Sequence, residues 1–294
     1  MAIELSTITF TDEDDIVPES GVDQILNTGI ANTLAGNDSI IGTSISNFNN
    51  VGINNFFGFI NTGDGDDTLI GTATGGLGYG IQNYDGNTDA GGIINTGAGK
   101  DTIIATGSTY GIYNFNAIET GTGDDIITAT GDDGIVNDGI IDTDEGHDII
   151  TGIANSADFG GIFNTINGII NTGNGSDIIT GIGVIGIYND GTINTGNGKD
   201  SIVADGGFNG IGSVFLGDGK DSLKGFGNGT FNGGNGQDAL ELTSGSYTVG
   251  ISGTTVKFTK GSTIMETSEF EKLIAGSTTY DFSSLTNGQT IFVA

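Results

Sequence analysis

The chain has 294 residues, of which 37 are acidic and 7 basic, all seven of them Lys, for a formal charge of −30. That balance excludes nucleic acid as a partner, since binding it needs a basic surface, and the absence of Cys excludes a disulfide framework and thiol chemistry. No run of about 18 apolar residues is present, so no membrane span is expected, and regular Ile columns argue against disorder despite 56 Gly.

Residues 1–20 read as an N-terminal cap. Ile3, Leu5, Ile8 and Phe10 partly alternate with polar residues and predict one strand closing the end of a stack. The acidic run Asp12–Asp15 reads as a solvated turn, with metal binding as the alternative.

Residues 21–242 repeat one phrase, seen at 170–181 as I-N-T-G-N-G-S-D-I-I-T-G. Ten copies are anchored at Asp23, Asp38, Asp67, Asp101, Asp125, Asp148, Asp177, Asp200, Asp221 and Asp238. Glycine stands two residues before every anchor (Gly21, Gly36, Gly65, Gly99, Gly123, Gly146, Gly175, Gly198, Gly219, Gly236). It recurs four residues before seven of them, at Gly63, Gly97, Gly121, Gly173, Gly196, Gly217 and Gly234. Glycines spaced by one residue let the backbone take positive φ and turn its polar groups to one side of a tight loop. Two residues after each anchor comes an aliphatic residue, from Ile25 and Ile40 to Leu223 and Leu240, so each loop opens into a strand with one buried face. Small residues two places further on, such as Gly71, Ala105, Ala129, Gly152, Gly181 and Ala204, fit a narrow interior. The residue just before each anchor varies freely and is expected to face solvent, His147 included.

A second phrase, G-I-x-N, ends at Asn83, Asn114, Asn137, Asn164 and Asn189. The unit from Asp125 then divides into three extended pieces, D-I-I-T-A, G-I-V-N and G-I-I-D-T, separated by turns. The expected fold is all-β, a right-handed parallel β-solenoid of the β-roll or β-helix kind, with about ten coils and a cap at each end. The Asn column should form a ladder of side-chain amides. Stacked loops place neighbouring anchor carboxylates about 5 Å apart, a repulsion of about 3 kcal/mol per pair at an effective dielectric near 20. A hard cation reverses that sign, and Ca²⁺ suits loops rich in carboxylate and carbonyl oxygen, whereas the lack of Cys and the single His exclude the usual zinc sites.

The stretch G-G-N-G-Q-D-A-L-E at 233–241 fits the nonapeptide G-G-x-G-x-D-x-U-x, and L-G-D-G-K-D-S-L-K at 216–224 is one glycine short of it. The chain thereby resembles the RTX, or haemolysin-type, calcium-binding repeat proteins. The resemblance implies Ca²⁺ between successive turns, held by Asp38, Asp67, Asp101, Asp125, Asp148, Asp177, Asp200, Asp221 and Asp238 with the loop glycines Gly63, Gly65, Gly97, Gly99, Gly121, Gly123, Gly173, Gly175, Gly196, Gly198, Gly217, Gly219, Gly234 and Gly236. Thr replaces the first glycine in most copies (Thr33, Thr62, Thr96, Thr120, Thr143, Thr172, Thr195), and the spacing is wider than the family's. Leu34 and Asp144 replace a loop glycine, which weakens the expected sites beside Asp38 and Asp148.

Residues 243–294 lose the repeat. Y-T-V-G-I-S, T-V-K-F-T and S-T-I-M-E read as antiparallel strands of a C-terminal β cap. The closing I-F-V-A resembles an uncleaved type I secretion signal, with a plain final strand as the alternative. No catalytic constellation stands out, since the chain has no Arg and its repeat-region Lys residues sit in or next to the outward column. The expectation is a secreted or cell-surface calcium-binding protein with a structural or adhesive role and no enzymatic one. Two alternatives are an ice-binding solenoid using the Thr column and, below it, a polysaccharide-acting β-helix enzyme. A stripe three residues after the anchor, Leu26, Ile41, Ile70 and Ile104, is expected either to meet cell-surface polysaccharide or another protein chain, or to lie beneath the longer corner loops.

Overall fold

A computed structural model describes residues 2–18, 23–46, 50–84, 92–156 and 160–294. Gly21, part of the first repeat copy, lies outside them, as does most of Y-D-G-N-T-D-A at 84–90, which the sequence reads as a longer loop between repeat phrases.

The chain winds into a β-solenoid with three faces. In one coil, Tyr110–Asn114 lies on the first face, Ala117–Glu119 on the second and Ile126–Gly131 on the third. Every strand pairs in parallel and in register with its counterpart one coil away, Ile112 with Ile135, Ile118 with Ile141 and Ile127 with Ile150. The three pieces read from the sequence are therefore the three faces.

Among the described residues, eight coils between Gln24 and Lys224 carry all three faces, against ten expected. Asp23 accounts for part of the difference. It precedes Gln24–Asn27 on the first face, where Ile25 pairs with Ile53, so it is no corner residue and Leu26 is no part of the third-face stripe. Asp238 is a true corner, but its coil has lost the first-face strand.

Each face sends one side chain per coil inward. Ile53, Ile81, Ile112, Ile135 and Ile162 form one column, Ile60, Ile94, Ile118, Ile141 and Ile170 a second, and Leu69, Ile103, Ile127, Ile150 and Ile179 a third, all fully buried. Each such side chain contributes about 1.5–3 kcal/mol by leaving water, and β-branching adds rotameric stiffness suited to a strand. Where the first and third faces converge there is no room for more than a methyl group. A Cβ on Gly71 would lie 2.2 Å from the Gly80 carbonyl oxygen, and one on Gly152 would lie 2.1 Å from that of Gly161. The small-residue column is thus set by close approach of two backbones.

The ends are closed differently. At the N-terminus two short strands do the work expected of one, Ala2–Glu4 pairing with Gln24–Leu26 on the first face and Ile16–Val17 with Ser39–Ile40 on the third. At the C-terminus Gly245–Ser252, Thr255–Lys260 and Thr263–Ser268 form the antiparallel cap read from the sequence. Thr290–Val293, the closing I-F-V segment, is a strand against Gly245–Thr248, with Ile291 buried and Phe292 exposed.

Candidate functional site: the aspartate corner

The corner between the second and third faces is the T-G-x-G-x-D loop. Its glycines take positive φ, 95° at Gly63 and 143° at Gly65, 98° at Gly97 and 144° at Gly99. Successive loops also touch directly, since a Cβ on Gly97 would fall 1.8 Å from the Gly63 carbonyl oxygen. Successive loops exchange backbone hydrogen bonds in both directions: Gly65 N–H donates to Ala98 O at 2.8 Å, and Ala98 N–H donates back to Gly63 O at 3.0 Å. Leu34 and Asp144 hold the same left-handed conformation with φ of 77° and 60°, so the corner geometry survives these substitutions at the expense of local strain.

Within this corner the anchor carboxylates point into the solenoid. All nine from Asp38 to Asp238 are at most 2 % exposed. The Oδ1 of each accepts a hydrogen bond from the main-chain N–H of the preceding anchor. Asp67 donates to Asp101 at 2.8 Å, Asp125 to Asp148 at 2.9 Å and Asp221 to Asp238 at 2.8 Å. The ladder extends past the repeat phrase at both ends: Asp15 N–H donates to Asp38, and Asp238 N–H donates to the Oε2 of Glu271, both at 2.7 Å. Asp15 and Glu271 were missed in the sequence because their glycines are gone. The surviving signal is the buried aliphatic residue two places later, Val17 and Leu273.

The other oxygen, Oδ2, is buried without a hydrogen-bond partner in all nine anchors. In the seven corners from Asp38 to Asp200 a Thr hydroxyl lies beside the carboxylate and acts to lower its pKa. In five corners, however, that hydroxyl donates to the next coil's carbonyl, as from Thr62 to Thr96 O at 3.0 Å, and one proton cannot serve both. Burial dominates and raises the pKa of all nine anchors from Asp38 to Asp238, to about 6 at Asp67, Asp101 and Asp238 and about 7 at Asp148 and Asp200. Hydrogen bonds from the neighbouring anchor's amide oppose the shift, and adjacent carboxylates reinforce it at these five.

The Thr column is fully inside, from Thr62 to Thr195. The alternation of faces along a strand does not survive two positive-φ glycines, so Thr and Asp, five residues apart, both turn inward. A buried column cannot order water at a crystal surface, and the ice-binding reading based on it is overturned. The residue before each of the nine anchors from Asp38 to Asp238 does face outward, yet in several coils it is tied to its neighbours as well. His147 N–H donates to Asp124 Oδ1 at 2.9 Å, and His147 Nδ1 accepts from Ser176 N–H at 2.8 Å.

The chemistry of the donor set suits a hard cation in part. Nine buried carboxylates each have an oxygen in need of a proton or a positive charge, and the second-glycine carbonyls aim along the axis at the next loop. Against this, loop amides and carbonyls are already bonded to one another, and among the described residues no three acidic or His side chains converge on one point. A bound ion would thus rest on one carboxylate from each of two coils, completed by backbone oxygen. No known family model matches the chain, and no curated protein resembles it in sequence.

Proposed function

We propose that this protein is an extracellular calcium-binding rod of RTX-like type, secreted or held at the cell surface by type I export, with a structural or adhesive and non-enzymatic role. The observation that supports this reading is the column of nine buried Oδ2 atoms without partners. At neutral pH these carboxylates oppose the fold unless protonated or neutralised. When bound, Ca²⁺ supplies that neutralisation and accepts six to eight oxygens with loose geometry. Asp38, Asp67, Asp101, Asp125, Asp148, Asp177, Asp200, Asp221 and Asp238 would hold it, together with carbonyls of the loop glycines. An acidic chain that stays expanded without calcium and compacts where calcium is plentiful also suits export in an unfolded state.

The test is circular dichroism and small-angle scattering during a titration from chelator to millimolar Ca²⁺, with Mg²⁺ as control. Compaction or stabilisation by Ca²⁺ alone is the expected result. A chain equally stable in chelator and in Ca²⁺ at pH 7.5 sinks the proposal.

A partner surface is supported by the third face. Ile41 and Ile104 are 36 % and 38 % exposed, and their column continues through Ile70, Thr128, Thr151 and Thr180. From Ser39–Ser44 to Ile178–Ile182 the outward positions hold only Ser, Thr and Ile, an uncharged strip on a chain of charge −30. Polysaccharide or another protein chain approaches there without electrostatic opposition. Loss of adhesion in Ile70→Lys with retained folding is the expected outcome, and unchanged adhesion overturns it.

A further inference from the structure

The first face carries a second feature that the repeat does not require. Two outward columns run along it: Val51, Tyr79, Tyr110, Asp133, Gly160 and Ile185 in one, and Asn54, Gln82, Tyr113, Val136, Phe163 and Tyr188 in the other. Aromatic rings fill most of the middle coils. Tyr110 and Tyr113 stack at 5.1 Å with planes 8° apart, and Phe163 and Tyr188 stack at 4.5 Å and 4°. Between the two pairs the side chains shrink to Val136, Asp133 and Gly160, leaving a recess of about 420 Å³ bounded by Tyr110, Phe163, Tyr188 and Ile185.

Asp133 breaks the rule of its column. Among aromatic and aliphatic neighbours it is a carboxylate, sunk to 5 % exposure. Its Oδ1 accepts a hydrogen bond from Gly160 N–H at 2.8 Å, which fixes the group at the recess floor. None of the seven Lys lines the recess, and Asp132 adds a further negative charge next to it. Burial pushes the pKa of Asp133 up, as for a charge without a counter-ion. A local conflict of this kind, inside a regular pattern, marks function more often than fold.

We propose that this recess binds an alkylammonium cation, with Asp133 as its counter-charge and the rings of Tyr110, Phe163 and Tyr188 as its walls. An anion is repelled by the site and by the whole chain. A purely apolar ligand would bury the Asp133 charge further and gain nothing from it. A hard metal ion needs six or more oxygens and finds one carboxylate among rings. An alkylammonium group is weakly hydrated, is attracted to the negative faces of aromatic rings, and gains from the carboxylate and from the charge of −30 together. The volume is in the range of small-ligand sites and accepts a trimethylammonium group with a short tail.

The inference is independent of calcium binding and is tested at fixed Ca²⁺. Full-length ¹⁵N-labelled protein is titrated with tetramethylammonium chloride against NaCl at constant ionic strength, and then with choline against its neutral isostere 3,3-dimethyl-1-butanol. Saturable amide shifts centred on Gly160, with the isostere about tenfold weaker than choline, are expected. Asp133→Asn keeps the acceptor for Gly160 N–H and should weaken choline by a similar factor with shifts elsewhere unchanged. Non-saturable shifts, equal binding of the neutral isostere, or tighter binding of a neutral sugar such as cellobiose overturns the proposal. The isostere comparison uses the unaltered chain, so it decides the matter even if Asp133→Asn does not fold.

Discussion

Two corners of the same coil solve one stacking problem in opposite ways. At the corner between the first and second faces, Asn27, Asn55, Asn83, Asn114, Asn137, Asn164 and Asn189 form an unbroken ladder, each Nδ2 donating to the next Oδ1 at 2.8 to 2.9 Å. The second amide proton is used too, as from Asn114 to Ile140 O at 2.9 Å and from Asn83 to Ala117 O at 2.8 Å. Inside the ladder every proton is used and every Oδ1 has a donor, with no net charge. The aspartate corner has the same geometry but half the satisfaction, one oxygen bonded and one bare. The amide corner carries no charge that pH or a cation can change. The carboxylate corner carries a buried oxygen that protons or cations would favour, so one coil contains a neutral seam and a titratable one.

Changing the supply tests this difference most strongly. The anchor pKa values are raised above the unfolded value of 3.8, so protonation stabilises the folded chain. That stabilisation is complete below about pH 4 and disappears as pH rises through 6 to 7. In chelator, urea midpoints should therefore fall steadily from pH 4 to pH 8, and Ca²⁺ at pH 7.5 should restore most of the loss. A flat profile would show the two seams to be equivalent.

Breaking the neutral seam comes next in size. Asn137→Ala strips Asn114 of an acceptor and Asn164 of a donor, both buried, and should cost about 3 kcal/mol in urea denaturation at every pH. The corresponding change in the charged seam should have the opposite sign. Asp125→Asn retains the acceptor for Asp101 N–H and removes a buried charge. It should stabilise the chelated protein by about 1 kcal/mol at pH 7.5, have no effect at pH 4, and reduce the gain from Ca²⁺. The smallest effect concerns strain alone: Leu34→Gly relieves a φ of 77° and should add about 0.5–1 kcal/mol independently of pH and Ca²⁺. Circular dichroism melts resolve a change of that size.

Much of the coil was legible in the sequence because it depends on local spacing. Ile127 two residues after Asp125 and Asn137 at the end of G-I-V-N announce their faces by position alone. Whatever depended on chain direction after a glycine was not legible. Thr120 was expected at a turn and is fully buried, since two residues of positive φ reset the inside–outside alternation. Asp23 carried the phrase but sits on the wrong face, while Asp15 and Glu271 lack the phrase and complete the column. Asp133 gave no signal, because it matters only through Tyr110 one coil before it and Phe163 one coil after.

The direction of both ladders sets how length can change over generations. In each seam a coil donates to the one that follows, and the same bond joins every neighbouring pair. Inserting or deleting a whole coil therefore leaves no new mismatch in either seam. It only moves Glu271, which ends the aspartate column as a carboxylate on the cap, nearer or farther. Gene duplication in units of one coil would lengthen such a rod in steps of about 4.8 Å. Heritable reach, adjusted without redesign of any contact, is what this architecture offers to selection.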